Sequence, residues 1–502
     1  MSMPSRHQIL FASATFSTLL VTTSLQAATS TQQTAAGTQP VAKSAAARKT
    51  TAKDTASQTP AAPIAGILDG SNGETINVHG HHAADGTGAK YMNKIVYLGP
   101  LGNRDTLDTP YSVMGVPHDV VVNQQLRNIN DMAQYLPSVQ LEIRGDPNTS
   151  RPQSRGFEAD VVANSRLDGL NVVSTTPYPA EWVDNLQVLN GLAGAMYGPQ
   201  NPAGVFEYTL KRPTNRRTER LSVGVDSIGT PTVNGDISGR IGKNGWFGYR
   251  LNMLHADGTA YTEGSWIRRE MVSADFDIHL DDKTVIELDA SHYTYAARGL
   301  APGFGIPGGS SSDLTGIGGQ LPQAPDLGNR LAPDWSGYNM ETNTFLAKIK
   351  HQINKDWSFT LGGLYQDAMR QSFGVTDTLC SGTSCPQGSG SEGWYTSTAK
   401  ATTTANDFRV GSNMAYFNGR VYTGPIKHDL VIGTNGYMMG NYNPTAAVTG
   451  TQALGNYNLY GIAPSNGTQP YYQGRYQSSR VTVQSFIVGD TLTLNRHWSI
   501  MG

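Results

Sequence analysis

Beyond residue 217 apolar and polar residues alternate with a period of two. In Val272–Leu280 one side carries Val272, Ala274, Phe276, Ile278 and Leu280, and the other carries Ser273, Asp275, Asp277 and His279. Phe247, Tyr249, Leu251 and Met253 alternate in the same way with Gly248, Arg250 and Asn252, and Ile286, Leu288 and Ala290 with Glu287, Asp289 and Ser291. Successive side chains of a strand point to opposite faces. Alternation held over about ten residues is what a transmembrane barrel strand needs, one face on lipid and the other on the lumen. A water-soluble sandwich alternates too, so the connections have to separate the two.

Tight turns are predicted at Lys243-Asn244-Gly245, Asp281-Asp282-Lys283, Asn354-Lys355-Asp356, Thr423-Gly424-Pro425 and Asn495-Arg496-His497. Long polar connections are predicted near 257–266, 296–341, 371–403 and 441–475. Short and long connections in alternation put all turns at one rim and all loops at the other, the pattern of outer-membrane barrels. The pattern yields ten strands and the start of an eleventh at Trp498–Gly502, whereas a barrel with a plugged lumen has about 22. The chain therefore reads as C-terminally truncated, ending at Gly502 in mid-pattern without a terminal aromatic.

Residues 101–213 read differently, as a compact mixed α/β unit. Val120-Val121-Val122-Asn123 opens one predicted helix, and Asn130–Leu136 gives a second that stops at Pro137. Short strands are predicted around Val139–Ile143, Val161–Leu167 and Leu186–Leu189. The fold class is thus mainly β: an antiparallel transmembrane β-barrel with about half its strands, preceded by an α/β plug domain.

The amino terminus adds export. Arg6 and His7 precede an apolar stretch from Ile9 to Leu25 and then Gln26-Ala27-Ala28, which reads as a signal peptide over 1–27. From Ala28 to about Pro63 the Ala, Thr, Gln and Ser content is too polar to fold, and residues 28–100 as a whole read as a periplasmic linker. Within it Glu74-Thr75-Ile76-Asn77-Val78-His79-Gly80 has the character of a segment that adds to a partner's sheet edge. A net charge of -2 gives no bulk attraction to nucleic acid. No run of about eighteen apolar residues follows the first thirty, which disfavours a helical membrane span. Cys380 and Cys385 enclose Ser-Gly-Thr-Ser and read as a disulfide at a loop tip, since no further metal ligands stand nearby. His79, His81 and His82 have the chemistry to bind a transition metal, but a chance cluster in a flexible segment is the simpler reading.

Over residues 74–213 the chain resembles the TonB-dependent receptors, and among them the ferric-siderophore receptors. Glu74–Val78 resembles a TonB box, and Leu107-Asp108-Thr109-Pro110-Tyr111-Ser112-Val113 resembles the opening of their plug. Arg155-Gly156-Phe157, Leu167-Asp168-Gly169-Leu170, Val188–Pro199, Asn201-Pro202-Ala203-Gly204 and Lys211-Arg212-Pro213 follow at plug spacing. Asn190, Leu192 and Glu207 depart from the usual basic residue, Pro and Asn. Glycines 191, 194, 198 and 204 would permit positive φ and close approach to a wall.

The resemblance implies an outer-membrane receptor with no resident cofactor and no catalytic residues. It would take up a ferric siderophore when TonB, with its inner-membrane energising complex, pulls on Glu74, Thr75, Ile76, Asn77 and Val78; another scarce ligand such as a cobalamin, a metal chelate or a glycan stays open, as does a non-transporting product. Aromatic residues suit large, partly apolar chelates, so Tyr178, Trp182, Trp335, Tyr338, Trp394 and Tyr395 are candidate ligand contacts together with Arg155, although Arg155 and Asp168 read first as charges that hold the plug's conformation.

Overall fold

Three short α-helices and three small sheets are described in the first folded region, and their limits follow local chemistry. The computed structural model describes residues 91–502 except 144–149, 177, 192, 227–228, 301–302, 308–316, 318, 327, 381–392, 402–404, 448–451, 462–466 and 496. The segments 1–27 and 74–80 and the histidines at 79, 81 and 82 therefore lie outside the described residues. Order begins ahead of residue 101. Ile95–Tyr97 pairs with Asn103–Asp105, and Val96 and Leu98 are buried beside Met196 and Tyr197, so an apolar patch draws the end of the expected linker into the globule.

The first helix spans His118–Asn123, starting just after Pro117 rather than at Val120. The second spans Ile129–Ala133, with the Asn128 side chain accepting from the N–H of Asn130 and Asp131. It stops short of Leu136, where Tyr135 and Leu136 turn back onto Met132 and Ala133 at 3.0 Å. Pro137 disfavours α geometry at the residue before it, which shortens the helix to that point. A five-stranded sheet runs in the order Val113–Val116, Val183–Leu189, Val205–Leu210, Ser165–Leu167, Leu170–Asn171. Its one parallel pair joins Val205–Leu210 to Ser165–Leu167. Val116, Val120, Trp182, Leu186, Val188 and Phe206 fill the space between this sheet and the helices.

The wall is a meander of antiparallel strands in sequence order: Thr218–Val225, Pro231–Ile241, Phe247–Thr259, Trp266–His279, Thr284–Arg298, Gly337–Gln352, Trp357–Leu379, Asp407–Thr423, Ile426–Asn443, Tyr476–Asn495 and Trp498–Met501. Thr218–Val225 and Trp498–Met501 are the two ends of that order. The period of two is plain in Trp266–His279: Met271, Ser273, Asp275 and Asp277 are buried, while Val272 is 56% exposed. Phe486 and Val488 are 85% and 80% exposed, as lipid-facing residues of a barrel are. A slip of one residue would exchange the two faces of a strand, so register is fixed by this pattern. No described helix is long and apolar enough to cross a membrane; the strands make the wall.

The turns at one rim are all tight. At the other rim two connections are shorter than the polar composition suggests. Pairing continues to Thr259 opposite Trp266, and 260–265 closes with the N–H of Ala260 on the Ser265 carbonyl at 3.0 Å. The loop expected over 371–403 is partly strand, because Trp357–Leu379 extends to pair with Trp394–Ala401. That strand pairs in turn with Gln452–Asn458.

Candidate functional site: the interface of plug and wall

The globule lies against the lumen face of the wall, and one apolar core runs through both, with Leu167, Leu170 and Tyr208 meeting Met271, Tyr295, Leu346 and Met414. Around that core the polar contacts fall into tiers. Near the turn rim, Arg104 donates to Thr491 at 3.1 Å, Asn418 to the Pro100 carbonyl at 2.9 Å and Asn435 to the Met196 carbonyl at 3.3 Å. Higher up, the N–H groups of Asn171 and Val173 donate to Ser412 and Gln366, each at 2.9 Å. Near the loop rim Arg269 of the wall holds Glu181 at 2.8 Å and the Arg127 carbonyl at 3.0 Å.

The densest set of charged contacts between plug and wall is a buried cluster. Asp168 occupies the turn between Ser165–Leu167 and Leu170–Asn171 at φ 49°, where its own N–H donates to the Tyr208 carbonyl and its Oδ1 accepts from Leu210 N–H at 3.0 Å. Asp168 accepts from Arg212, which follows the last plug strand, and from Lys348 of the wall at 3.1 Å. Arg212 also donates to both oxygens of Asp289, at 2.9 and 3.0 Å. Lys348 and Lys350 reach Glu287 at 3.2 and 2.5 Å. Arg250 closes the cluster on one flank, chelating Asp236 at 2.9 and 2.7 Å and donating to the Arg212 carbonyl. Burial opposes the charge on Asp168, but Lys348 and then Arg212 outweigh it and hold the carboxyl below its ordinary range.

Glu207 behaves oppositely. Burial pushes its carboxyl up to about 8 against the pull of the Gly169 N–H, which it accepts at 2.7 Å, and of Arg166. At neutral pH it therefore holds a proton, and a neutral hydrogen-bonding group stands where Asn would be usual. The Arg166 guanidinium carbon sits over the Tyr197 ring, 4.2 Å from its centre, and Arg166 donates to the Gly169 and Tyr197 carbonyls at 3.0 and 3.2 Å. Gly191, Gly198 and Gly204 have φ between 83° and 88°; Gly194 instead opens the short helix Gly194–Tyr197.

The candidate ligand residues are distributed over several places. Arg155 is exposed at φ 53° in the turn between Ser150–Ser154 and Phe157–Glu158. Tyr178 is buried, its hydroxyl 2.5 Å from the Val173 carbonyl and its ring 5.2 Å from that of Tyr208. Trp182 is in the plug core, and Tyr338 packs half-buried against the same core. Trp335 packs on Val375, Ala399 and Leu454, and Tyr395 is enclosed by Leu379, Leu459 and Phe304. Trp394 is half-buried one residue before it. Cys380 is disulfide-bonded; Cys385 lies outside the described residues.

Another group, at the loop end of the lumen, was not singled out by aromatic content. Arg370, Asn406, Asn441 and Asn443 stand partly exposed above an apolar floor of Val162, Val173, Ala368, Phe408, Val410 and Tyr437. The signal that finds them is strand parity: Arg370 shares its face with Gln366 and Ala368, and Asn406 with Phe408 and Val410.

Comparison with known proteins agrees with this geometry. Residues 105–205 match the TonB-dependent Receptor Plug Domain family. A Ferric-pyoverdine 358 receptor of Pseudomonas putida is 22% identical over 296 residues, 58% of this chain and 34% of its own length. The Ferrichrome outer membrane transporter/phage receptor of Escherichia coli K12 is 26% identical over 183 residues, 35% of this chain and 24% of its own. Among solved structures, BauA, the Ferric preacinetobactin receptor from Acinetobacter baumannii, superposes with a TM-score of 0.67 at 18% identity, covering 81% of this chain and 59% of that one. The Ferric-Catecholate import receptor Fiu from Escherichia coli K12 gives 0.64 at 18% identity, with coverages of 82% and 57%. The match thus spans about a third or less of the length of these two curated relatives. The fold is that of a plugged outer-membrane receptor barrel, as the alternation indicated. Residues 105–205 thus carry the plug of the TonB-dependent receptors, and the chain is similar in fold to outer-membrane siderophore receptors.

Proposed function

We propose that the protein takes up a ferric-siderophore complex across the outer membrane, driven by TonB and its inner-membrane energising complex acting on Glu74–Val78. One observation carries this reading: a folded plug packs on the lumen face of the wall and is tied to it by a buried charge cluster centred on Arg212 and Asp168. Within a closed barrel such a plug blocks passive diffusion. It opens only if work separates charges whose exposure or loss of partners is costly, which matches a machine supplied with energy from outside. The relatives named for pyoverdine, ferrichrome and preacinetobactin support iron chelates as cargo over other scarce ligands. The reading needs no covalent step and no resident cofactor; the ferric complex is cargo.

The test is uptake of ⁵⁵Fe-loaded siderophores by a receptor-deficient outer-membrane strain expressing the protein. Energy-dependent uptake lost on deleting residues 74–78 is the expected result. Uptake that persists unchanged after the deletion, or none for any ferric chelate alongside a strain expressing a known receptor, rejects the proposal.

A further inference from the structure

We propose that Asp377 is a proton-operated catch in the loops: while its carboxyl is neutral the short sheet built around it stays closed, and loss of the proton to solvent releases that sheet's edge strand, Gln452–Asn458. The catch acts on the loops themselves and is independent of what the receptor carries.

The sheet stands above the wall. Trp357–Leu379 last meets its wall neighbours at Met369, opposite Asp407, and at Phe373, opposite Gly337. From Phe373 to Leu379 it pairs instead with Trp394–Ala401, which pairs in turn with Gln452–Asn458, while Phe304–Gly305 lies along its other side. One row crosses all four strands: Phe304, Asp377, Ser397 and Gly455. Residues two positions away in a strand share its face, and here they belong to two apolar clusters. Val375, Ala399 and Leu454 with Trp335 lie on one side of the row, and Leu379, Tyr395 and Leu459 with Ile317 on the other.

An acid thus sits in the middle of an apolar core. Asp377, Ser397 and Tyr395 are fully buried. Among the described residues neither carboxyl oxygen of Asp377, nor the hydroxyl of Ser397 or Tyr395, has a hydrogen-bond partner. The titratable groups on the strands packed around Asp377 are the phenols of Tyr395 and Tyr457; Phe304–Gly305 brings none, and no described cation bears on the acid. Arg330 and Asp334, on the loop that carries Trp335, pair with each other. A carboxylate without a cation or a donor is costly to bury, so the group keeps its proton instead. Burial pushes the Asp377 carboxyl up to about 7, against the pull of the nearby Ser397 hydroxyl, from an ordinary value of 3.8. The closed sheet therefore binds the proton more tightly than the open one. Closure is favoured most below about pH 4, and that advantage is lost as pH rises through about 7.

Gln452–Asn458 is the strand that gives way. It pairs on one side only, and its register slips at the Asp377 row, between Ser397 and Thr398. Gly455, opposite Ser397 at φ 121°, puts no side chain over the row. Val375 to Leu379, by contrast, continues a wall strand and leads into the disulfide-bonded Cys380.

The experiment is hydrogen exchange read by mass spectrometry on the full chain in lipid nanodiscs, from about pH 5 to about pH 8, with rates corrected for intrinsic exchange. In the wild type the opening constant of residues 452–458 should rise by about tenfold or more between about pH 5 and about pH 7 and then level off, while 266–279 of the wall stays unchanged. Asp377→Asn, nearly the same size without the charge, and Asp377→Leu, apolar like its surroundings, should both abolish the rise. A wild type without the rise overturns the catch, as does a rise that persists in either variant or one shared by 266–279. Protection of 452–458 at about pH 8 that returns with about 1 mM calcium chloride also overturns it, since the acid would then hold a cation rather than release a proton.

Discussion

Arg212, the second residue after the plug's last strand, donates from Nη1 to both carboxylate oxygens of Asp289 on the wall, at 2.9 and 3.0 Å. The contact joins the chain's two folded parts through a pair in which both partners are buried. A buried ion pair adds little net stability over an apolar pair of the same shape, but removing one partner strands the other. Arg212→Met should therefore destabilise the protein by about 3–5 kcal/mol, because Asp168, Glu287 and Asp289 all lose a cation. Adding Asp289→Asn should recover part of that loss. Denaturation midpoints of the two single variants and the double variant check this, and additive losses would show that the two residues are not coupled.

Glu207 gives a pH dependence with a defined sign. Its folded carboxyl, pushed by burial up to about 8, lies above the ordinary value of 4.5. The folded state thus binds the proton more tightly than the unfolded state. The stabilisation is complete below about pH 4.5 and is lost as pH rises toward about 8, at up to about 1.4 kcal/mol per pH unit. Glu207→Gln, which keeps a neutral group beside the Gly169 N–H, should flatten stability between pH 5 and pH 8, both approximate limits of that window. A slope unchanged in this variant would assign the dependence to other groups.

Gly198 fixes how closely the plug approaches the wall. Its φ is 83°, and a Cβ there would lie 2.0 Å from the Ser485 hydroxyl. Gly198→Ala should cost about 1–3 kcal/mol from backbone strain and from the clash. Ser485→Ala in the same chain should return only the portion due to the hydroxyl, since the strain at φ 83° remains. Thermal unfolding of the three variants separates the portions, and a Gly198→Ala variant as stable as the wild type would contradict the geometry.

The wall could be read from the chain because its two solvents differ. Val272 and Asp275 need only their parity to be assigned to lipid and lumen, and the structure puts them there. Aromatic residues carry no such label. Trp182 and Tyr395 are as suitable for a ligand as any ring, yet one fills the plug core and the other the core under the loops. Arg370, Asn406, Asn441 and Asn443 become neighbours only through register: Met369 opposite Asp407 and Phe408 opposite Asn441 bring together residues far apart in sequence. Glu207 is similar, because its identity predicts a charge and only its burial removes it.

Gln366 is the wall residue on which the upper part of the plug hangs. It is fully buried, accepts the Val173 N–H at 2.9 Å, and donates to Thr344 at 3.1 Å and to the Tyr178 hydroxyl at 3.2 Å. Gln366→Leu removes these partners at once while roughly keeping the volume. The Val173 N–H is then buried without an acceptor, at a cost of about 1–3 kcal/mol. The effect should be local: amide exchange at Val173 should quicken by about tenfold or more, while the Asn171 amide, held by Ser412 at 2.9 Å, keeps its protection. Gln366→Glu tests the same point with a different outcome. A carboxylate still accepts from Val173 but cannot donate to Thr344, and it brings an unpaired charge into the interior, so this variant should lose more global stability than the leucine and less protection at Val173. Equal exchange rates at Val173 in wild type and Gln366→Leu would mean that the apolar packing around Val173 and Ala368, rather than this amide, holds the plug to the wall.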